Sequence, residues 1–172
     1  ALTFHVVSIF EMHGYARHDA ISIFFPASWI AVILSLTGGI LSDRPKIRYR
    51  LKYFLSILLF GLLLSAAGVL LLNTGYGKIL IIIGDGIASG MFGLCTSVTW
   101  GRYYGREHLG EITGHNMSYL VFFSAMGPSI FGFSHAVTET YAYGVIGLFV
   151  ILIMLFILSF YANRPKLISL KS

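Results

Sequence analysis

The chain has 172 residues, of which 56% are hydrophobic and only 11% are charged. Soluble domains carry roughly 25% charged residues, and the mean hydropathy of +0.81 is far too high for one. The net charge of +5 would suit a nucleic-acid-binding protein, but the basic residues alternate with apolar segments in a way that indicates membrane topology instead. Composition thus excludes a water-soluble domain and argues against a nucleic-acid partner.

Five stretches of mostly apolar residues make up most of the chain. They run over residues 20–42, 53–72, 79–100, 112–134 and 141–162. About 20 residues of helix, rising about 1.5 Å each, cross a hydrocarbon core of roughly 30 Å. Asp85 is the single Asp, Glu, Lys or Arg within these stretches. We therefore predict an all-α membrane protein with five full transmembrane helices.

The segment that precedes them, residues 1–13, is apolar and reads as helix, but it reaches only about 20 Å. We interpret it as the outer end of a crossing helix, which would make the chain the trailing part of a longer protein. A re-entrant or interfacial segment is the alternative. His5 in this segment could bind a solute or a proton, or could be an ordinary packing histidine.

The span 20–42 contains Pro26, which favours a bend. Phe25 and Trp29 lie one helical turn apart on it. Such an aromatic pair more often serves packing or interface anchoring than solute binding, and both interpretations stay open.

Ten of the twelve lysines and arginines fall on alternate connections between the spans. They are Arg44, Lys46, Arg48, Arg50, Lys52, Arg102, Arg106, Arg164, Lys166 and Lys171. The positive-inside rule places these residues and the C-terminus in the cytoplasm. We expect a multi-pass integral protein of the plasma (inner) membrane. Membrane lipid is the expected partner of these basic clusters.

The spans differ in composition. Leu, Ile, Val and Phe dominate 53–72 and 141–162, which predicts extensive lipid contact. The spans 79–100 and 112–134 carry more small and polar residues, as expected of helices that pack inside a bundle or face a cavity.

Two stripes run along the span 79–100. Small residues at helical spacing predict close helix packing: Gly86, Gly90, Gly93 and Ser97. A more polar stripe is the predicted solute or proton pathway: Asp85, Ser89, Phe92, Thr96 and Thr99. Asp85 lies about 9 Å inside the outer end, where a carboxylate costs about 2.5–3.5 kcal/mol. It is either a proton- or cation-binding group on a cavity, or a carboxyl that reaches the interface or a neighbouring helix.

The span 112–134 adds Asn116 to the predicted pathway. Gly127 and Pro128 predict a helix kink, which could act in gating or be static. Cys95 reads as a buried structural thiol. The histidines form no metal-ligand spacing, so we expect no metal and no cofactor. Residues 86–90 lack the spacing of a nucleophile motif, so we expect no enzyme activity.

Residues 39–44 read Gly-Ile-Leu-Ser-Asp-Arg and open the basic loop with Lys46, Arg48 and Arg50. This resembles the Gly-x-Leu-x-Asp-Arg loop signature of the major facilitator superfamily, in the copy between its eighth and ninth helices. Residues 102–110 resemble the loop between its tenth and eleventh helices, and Gly127-Pro128 with Gly132 its eleventh helix. The similarity is closest to oxalate/formate and monocarboxylate-like carriers.

The resemblance implies the C-terminal six-helix half of a secondary transporter of small organic anions, which alternates access against a missing N-terminal six-helix half. It implies peripheral positions for 53–72 and 141–162. It also implies a cytoplasmic loop gate at Gly39, Asp43, Arg44 and Arg48, with Asp43 paired across helix ends and the two arginines as candidate partners.

No lysine or arginine lies inside a span. A positively charged group that binds an anion would therefore have to come from the missing half or from His5. The alternative function is a truncated, non-transporting membrane protein that binds partners through its glycine-rich faces.

Overall fold

The computed structural model describes residues 2–44, 52–105, 107–138 and 140–162, and of residues 2–4 the backbone alone. Across these residues the regular structure is helical throughout. The helices are α1 Leu2–Met12, α2 Arg17–Ser22, α3 Phe24–Ser42, α4 Lys52–Leu70, α5 Tyr76–Tyr104, α6 Leu109–Thr138 and α7 Ala142–Ser159, with a 3-10 turn at Leu72–Thr74 between α4 and α5. Five segments are long and apolar enough to cross a membrane, which confirms the predicted number of spans.

The helix that contains Pro26 is interrupted near its N-terminus, where α2 passes into α3 at Ile23. Proline has no amide hydrogen, so the carbonyl of Ser22 loses the donor that a regular helix would supply. The ladder resumes one residue later, where the amide of Ala27 donates to Ile23 O over 3.2 Å. α2 and α3 together form one span, Arg17–Ser42.

The centre of the bundle is the crossing of α4 and α5, where glycines let the two backbones touch. A Cβ built on Gly61 of α4 would lie 2.7 Å from the amide nitrogen of Ala88 and 2.8 Å from the carbonyl oxygen of Gly84, both on α5. Helices in lipid associate through such close backbone packing because moving apolar surface from lipid to protein gains little free energy by itself.

α3 packs on another face of α5, again through glycines that let the two backbones approach closely. Cβ atoms on Gly86 and Gly90 would come within 2.8 Å of the carbonyl of Ala27 and 2.6 Å of the carbonyl of Ala31. The predicted packing role of these two glycines is confirmed. Nothing lies within 4 Å of a Cβ on Gly93, and Ser97 is exposed, so the C-terminal half of that predicted stripe stays open.

The prediction that residues 53–72 contact mainly lipid is wrong for this bundle. α4 has the largest buried share of the five spans, whereas α6 has the smallest. Small residues at helical spacing on α4 explain the burial, since Gly61, Ser65 and Gly68 are all enclosed. α6 meets the bundle with one side only.

The two ends of the bundle are tied by different charges. At one end, Lys78 of α5 and Asp19 of α2 form an ion pair of 2.8 Å, and the hydroxyl of Tyr15 donates to Leu72 O over 3.0 Å. At the other end Arg102 of α5 binds the end of α3. Described residues from the connections rich in basic side chains thus share one end, as expected for alternating membrane crossings.

Candidate functional site

A cavity of about 400 Å³ opens between α4, α5 and α6 at the end of the bundle where α4 begins. Phe92, Thr96 and Asn116, three of the predicted pathway residues, line it together. Lys52, the first residue of α4, lies at this cavity as well. We call it the Lys52 cavity. The structure therefore brings Phe92 and Thr96, from the stripe predicted on α5, together with Asn116, the polar residue predicted on α6.

Asp85 lies in a second cavity, of about 360 Å³, between α4, α5, α6 and α7. Ser65 of α4 and Ser124 and Gly127 of α6 line it too. We call it the Asp85 cavity. Within the described part of the chain, Asp85 has no ion-pair partner and no hydrogen-bond partner. Its carboxyl is half-buried, so the structure favours the cavity-lining interpretation over attachment to a neighbouring helix.

The two cavities follow each other along the same helices. On α4, Leu58 lines the first and Leu62 the second, and on α6 Leu120 and Phe123 do the same. One helical turn therefore separates them on each helix. α6 covers both, and it touches α5 and α7 far less than α4 touches α5. The predicted pathway is thus divided between two compartments beneath one lightly packed helix.

His5 lines neither cavity. Its Nε2–H donates to the carbonyl oxygen of Pro128 over 3.2 Å, because a carbonyl can only accept. The ring packs on Phe131 and Tyr141, with centroid distances of 6.2 and 5.4 Å. His5 is therefore the packing histidine of the two interpretations, and it ties α1 to α6 beside the proline.

Pro128 lies inside α6, which continues as one helix through it. The missing amide hydrogen leaves the carbonyl of Ser124 without its helical donor, one turn before the proline and beside the Asp85 cavity. The kink at Gly127 and Pro128 stays a prediction.

Three predicted pathway residues face outward from this bundle. Phe25 and Trp29 of α3 are 73% and 60% exposed, and their rings meet edge to face at 6.5 Å. Ser89 of α5 is exposed too. Within this chain none of them contributes to either cavity.

Asp43 is paired across helix ends as predicted, but the cation is Arg102 of α5. The Arg102 guanidinium donates to the Asp43 carboxylate, to Ser42 O and to Ser42 Oγ over 3.1 Å. Arg102 thereby satisfies a terminal carbonyl of α3 with a cation, which also suits the negative end of the helix dipole. Arg44 follows at the end of α3, while Arg48 lies outside the described residues. Gly39 has open space where a Cβ would be.

Sequence reasoning missed several residues at the Lys52 cavity. Tyr103 continues the spacing of the polar stripe beyond Thr99, so extending the stripe by one turn would have found it. Lys52 gave no comparable signal, because a lysine at the start of a span normally reaches the aqueous interface. Cys95, half-buried, lies on this cavity as well.

Comparisons of the chain with protein-family models, with curated proteins and with solved structures find no match. In the part of the chain that the structure describes, no three His, Cys, Asp or Glu side chains come together as metal ligands would. Function is therefore inferred from the cavities and from the polar residues in the spans.

Proposed function

We propose that the chain is the C-terminal half of a secondary transporter of the major facilitator type, which moves small organic anions such as monocarboxylates by alternating access. The observation that supports this most is the meeting of Phe92, Thr96 and Asn116 in one cavity between two membrane-spanning helices. Polar groups at membrane depth, such as Thr96 and Asn116, mark solute pathways because each costs free energy when it faces lipid. A transport path would explain why these groups lie within membrane-spanning helices.

The outward faces of α5 and α6 support a second bundle. Ser89 and Gly93 of α5 are exposed, as are Ser118 and Ser129 of α6. Small and polar residues are typical of helix interfaces in membranes rather than of lipid contact. The missing N-terminal half would cover these faces, together with Phe25 and Trp29 of α3.

Asp85 is the proposed site of proton or cation coupling. An unpaired carboxylate at membrane depth costs free energy, so its presence within a span favours a functional role. Ser65 and Ser124 share the Asp85 cavity and could hydrogen-bond a proton carrier or solvate a cation.

Uptake by the product of the complete gene tests these proposals. Proteoliposomes with an imposed pH gradient would be given a labelled monocarboxylate, and the Asp85→Asn variant would be compared with Glu111→Gln, which removes an exposed carboxylate that lines neither cavity. We expect Asp85→Asn to abolish gradient-driven uptake and Glu111→Gln to retain it. Full pH-dependent uptake by Asp85→Asn would exclude coupling at this residue, and absence of organic-anion uptake by the unaltered protein would refute the transport proposal.

A non-transporting interaction module is the alternative, and the same exposed small-residue faces favour it. The two functions differ in what the gene encodes upstream of residue 1. Six further apolar spans in frame would support the carrier. A start codon close to residue 1, together with self-association of the chain, would support the module.

The proposed orientation places the C-terminus in the cytoplasm. In a Cys95→Ser background, a cysteine at Thr74 should react with an impermeant maleimide added outside intact cells, and one at His108 only after permeabilisation. The positive-inside rule carries this expectation, and the reverse labelling pattern would overturn it.

A further inference from the structure

The Lys52 cavity has the shape of a slot with one charged end. Along α5 it runs over residues 92–103, about 16 Å of helix. Its long walls are apolar side chains from three helices, among them Leu55 of α4, Phe92 of α5 and Leu120 of α6. Most of its surface is therefore suited to an apolar body rather than to a hydrated ion.

The charged end is supplied by Lys52. A lysine ammonium has three hydrogens to donate, and within the described residues Lys52 Nζ has a single acceptor, the carbonyl of Phe160 at 3.3 Å. No carboxylate of the described chain lies within ion-pair distance of it. Of the other described cations near this end, Arg102 is already bound to Asp43 and Ser42, and Arg44 does not line the cavity. Among the described residues, Lys52 is thus the cation that can take an anion at this cavity.

The polar groups deeper in the slot differ in whether they already have hydrogen-bond partners. The Thr96 hydroxyl donates within its own helix to Phe92 O, over 2.9 Å. The Asn116 amide has no hydrogen-bond partner among the described residues, so it can supply a second donor. An occupant with a single anionic group suits this arrangement better than a dianion, because the described lining residues include one cation.

We propose that the Lys52 cavity binds an amphipathic organic monocarboxylate, with the carboxylate on the ammonium of Lys52 and the apolar body between Leu55, Phe92 and Leu120. The inference rests on the proposed transport of organic anions and specifies the class of anion. A small hydrophilic anion such as acetate would leave the apolar walls uncovered and bind weakly. Lys52 then supplies a cation, which the five apolar stretches of the sequence lack.

Two residues of the chain report directly on occupancy. Trp100 lines the cavity, and Trp29→Phe removes the other tryptophan. Cys95, the single cysteine, lines it too. The chain in the Trp29→Phe background would be reconstituted in phosphatidylcholine bilayers and titrated with bromophenylbutyrate, whose bromine quenches tryptophan on contact. Alkylation of Cys95 by N-ethylmaleimide would be followed in parallel.

We expect saturable quenching of Trp100 and protection of Cys95 by the carboxylate. The neutral bromophenylbutyramide should bind about tenfold more weakly, as should the carboxylate to Lys52→Gln, since a charge-assisted hydrogen bond is lost. Lys52→Arg should restore binding, and Lys78→Gln, which removes a cation at the opposite end, should not change it. Rescue by arginine separates loss of charge from misfolding.

Equal binding of the carboxylate and the amide, or unchanged binding in Lys52→Gln, would overturn the proposal. So would Lys52-dependent quenching by brominated phosphatidylglycerol without any by the carboxylate, which would make the cavity a lipid site. Because the assay measures binding, a carboxylate that binds but is not transported would refute the proposed function alone. Uptake with no binding at this cavity would refute this inference alone.

Discussion

Replacing Gly61 by alanine tests whether the crossing of α4 and α5 holds the bundle together. The new Cβ would lie 2.7 Å from the amide nitrogen of Ala88 and 2.8 Å from the carbonyl oxygen of Gly84. Ordinary contacts begin at 3.4 Å, so the helices must separate by about 0.7 Å. A gap of roughly 0.5–1 Å forfeits a quarter to a half of each dispersion contact along the interface.

The obstructing atoms belong to backbone, which cannot rotate away as a flexible side chain can. We therefore expect Gly61→Ala to lower the free energy of unfolding by about 1–3 kcal/mol, the range found for overpacked cores. Gly93→Ala on α5 is the matched control, because nothing lies within 4 Å of its added methyl group. Its gain in helix propensity is at most about 1 kcal/mol and is stabilising.

Stability would be measured by titrating the purified protein with sodium dodecyl sulfate in mixed micelles, with helix content followed by circular dichroism. The order expected is Gly93→Ala at least as stable as the unaltered protein, and Gly61→Ala clearly less stable. Equal stability of the two variants would show that the crossing does not have this tight geometry. A Gly61→Ala variant that gains stability would refute the reasoning outright.

Substitutions at three further contacts probe how distant parts of the chain are joined. Arg102→Gln should lower the free energy of unfolding by about 1.5–3 kcal/mol because it removes charge-assisted bonds to the end of α3. Asp43→Asn should lower it by only about 0–1 kcal/mol because the Asp43 carboxylate is 77% exposed. Equal losses of stability in detergent unfolding would contradict this. The hydroxyls of Ser56 and Ser159 lie 2.8 Å apart, and a double-mutant cycle to alanine should give a coupling of about 0.6 kcal/mol, with zero coupling counting against the bond. Tyr15→Phe removes one hydrogen bond at the opposite end and should cost about 1 kcal/mol, and a loss as large as that of Arg102→Gln would argue against the ranking.

Several features of the fold could be predicted because they depend on local sequence. Each span must satisfy its own backbone hydrogen bonds in lipid, so a long apolar stretch is enough to predict a helix there. The interruption before α3 follows from Pro26 alone. The segregation of basic residues to one end follows from the alternation of crossings, and the structure agrees at Lys52 and Arg102.

The candidate site was predicted in part. Phe92, Thr96 and Asn116 were found because polar side chains are conspicuous in apolar spans, and the structure brings them together. His5 is also a polar side chain in an apolar segment, but its partner is the carbonyl of Pro128 and not a solute. A polar residue in a span indicates that it has a partner, but not whether that partner is a solute or the protein.

The chain's sequence by itself determined the membrane environment, the five spans and the end at which the basic residues gather, because hydrophobicity and charge act residue by residue. Tertiary structure alone decided that α4 is central, that Arg102 is the partner of Asp43 and that Lys52 lies on the cavity of the predicted pathway. In a bilayer, apolar helix surfaces are almost as well accommodated by lipid as by protein. Which faces meet is therefore decided by the fit of small residues such as Gly61 against another backbone, and a local pattern shows the small residue without its partner.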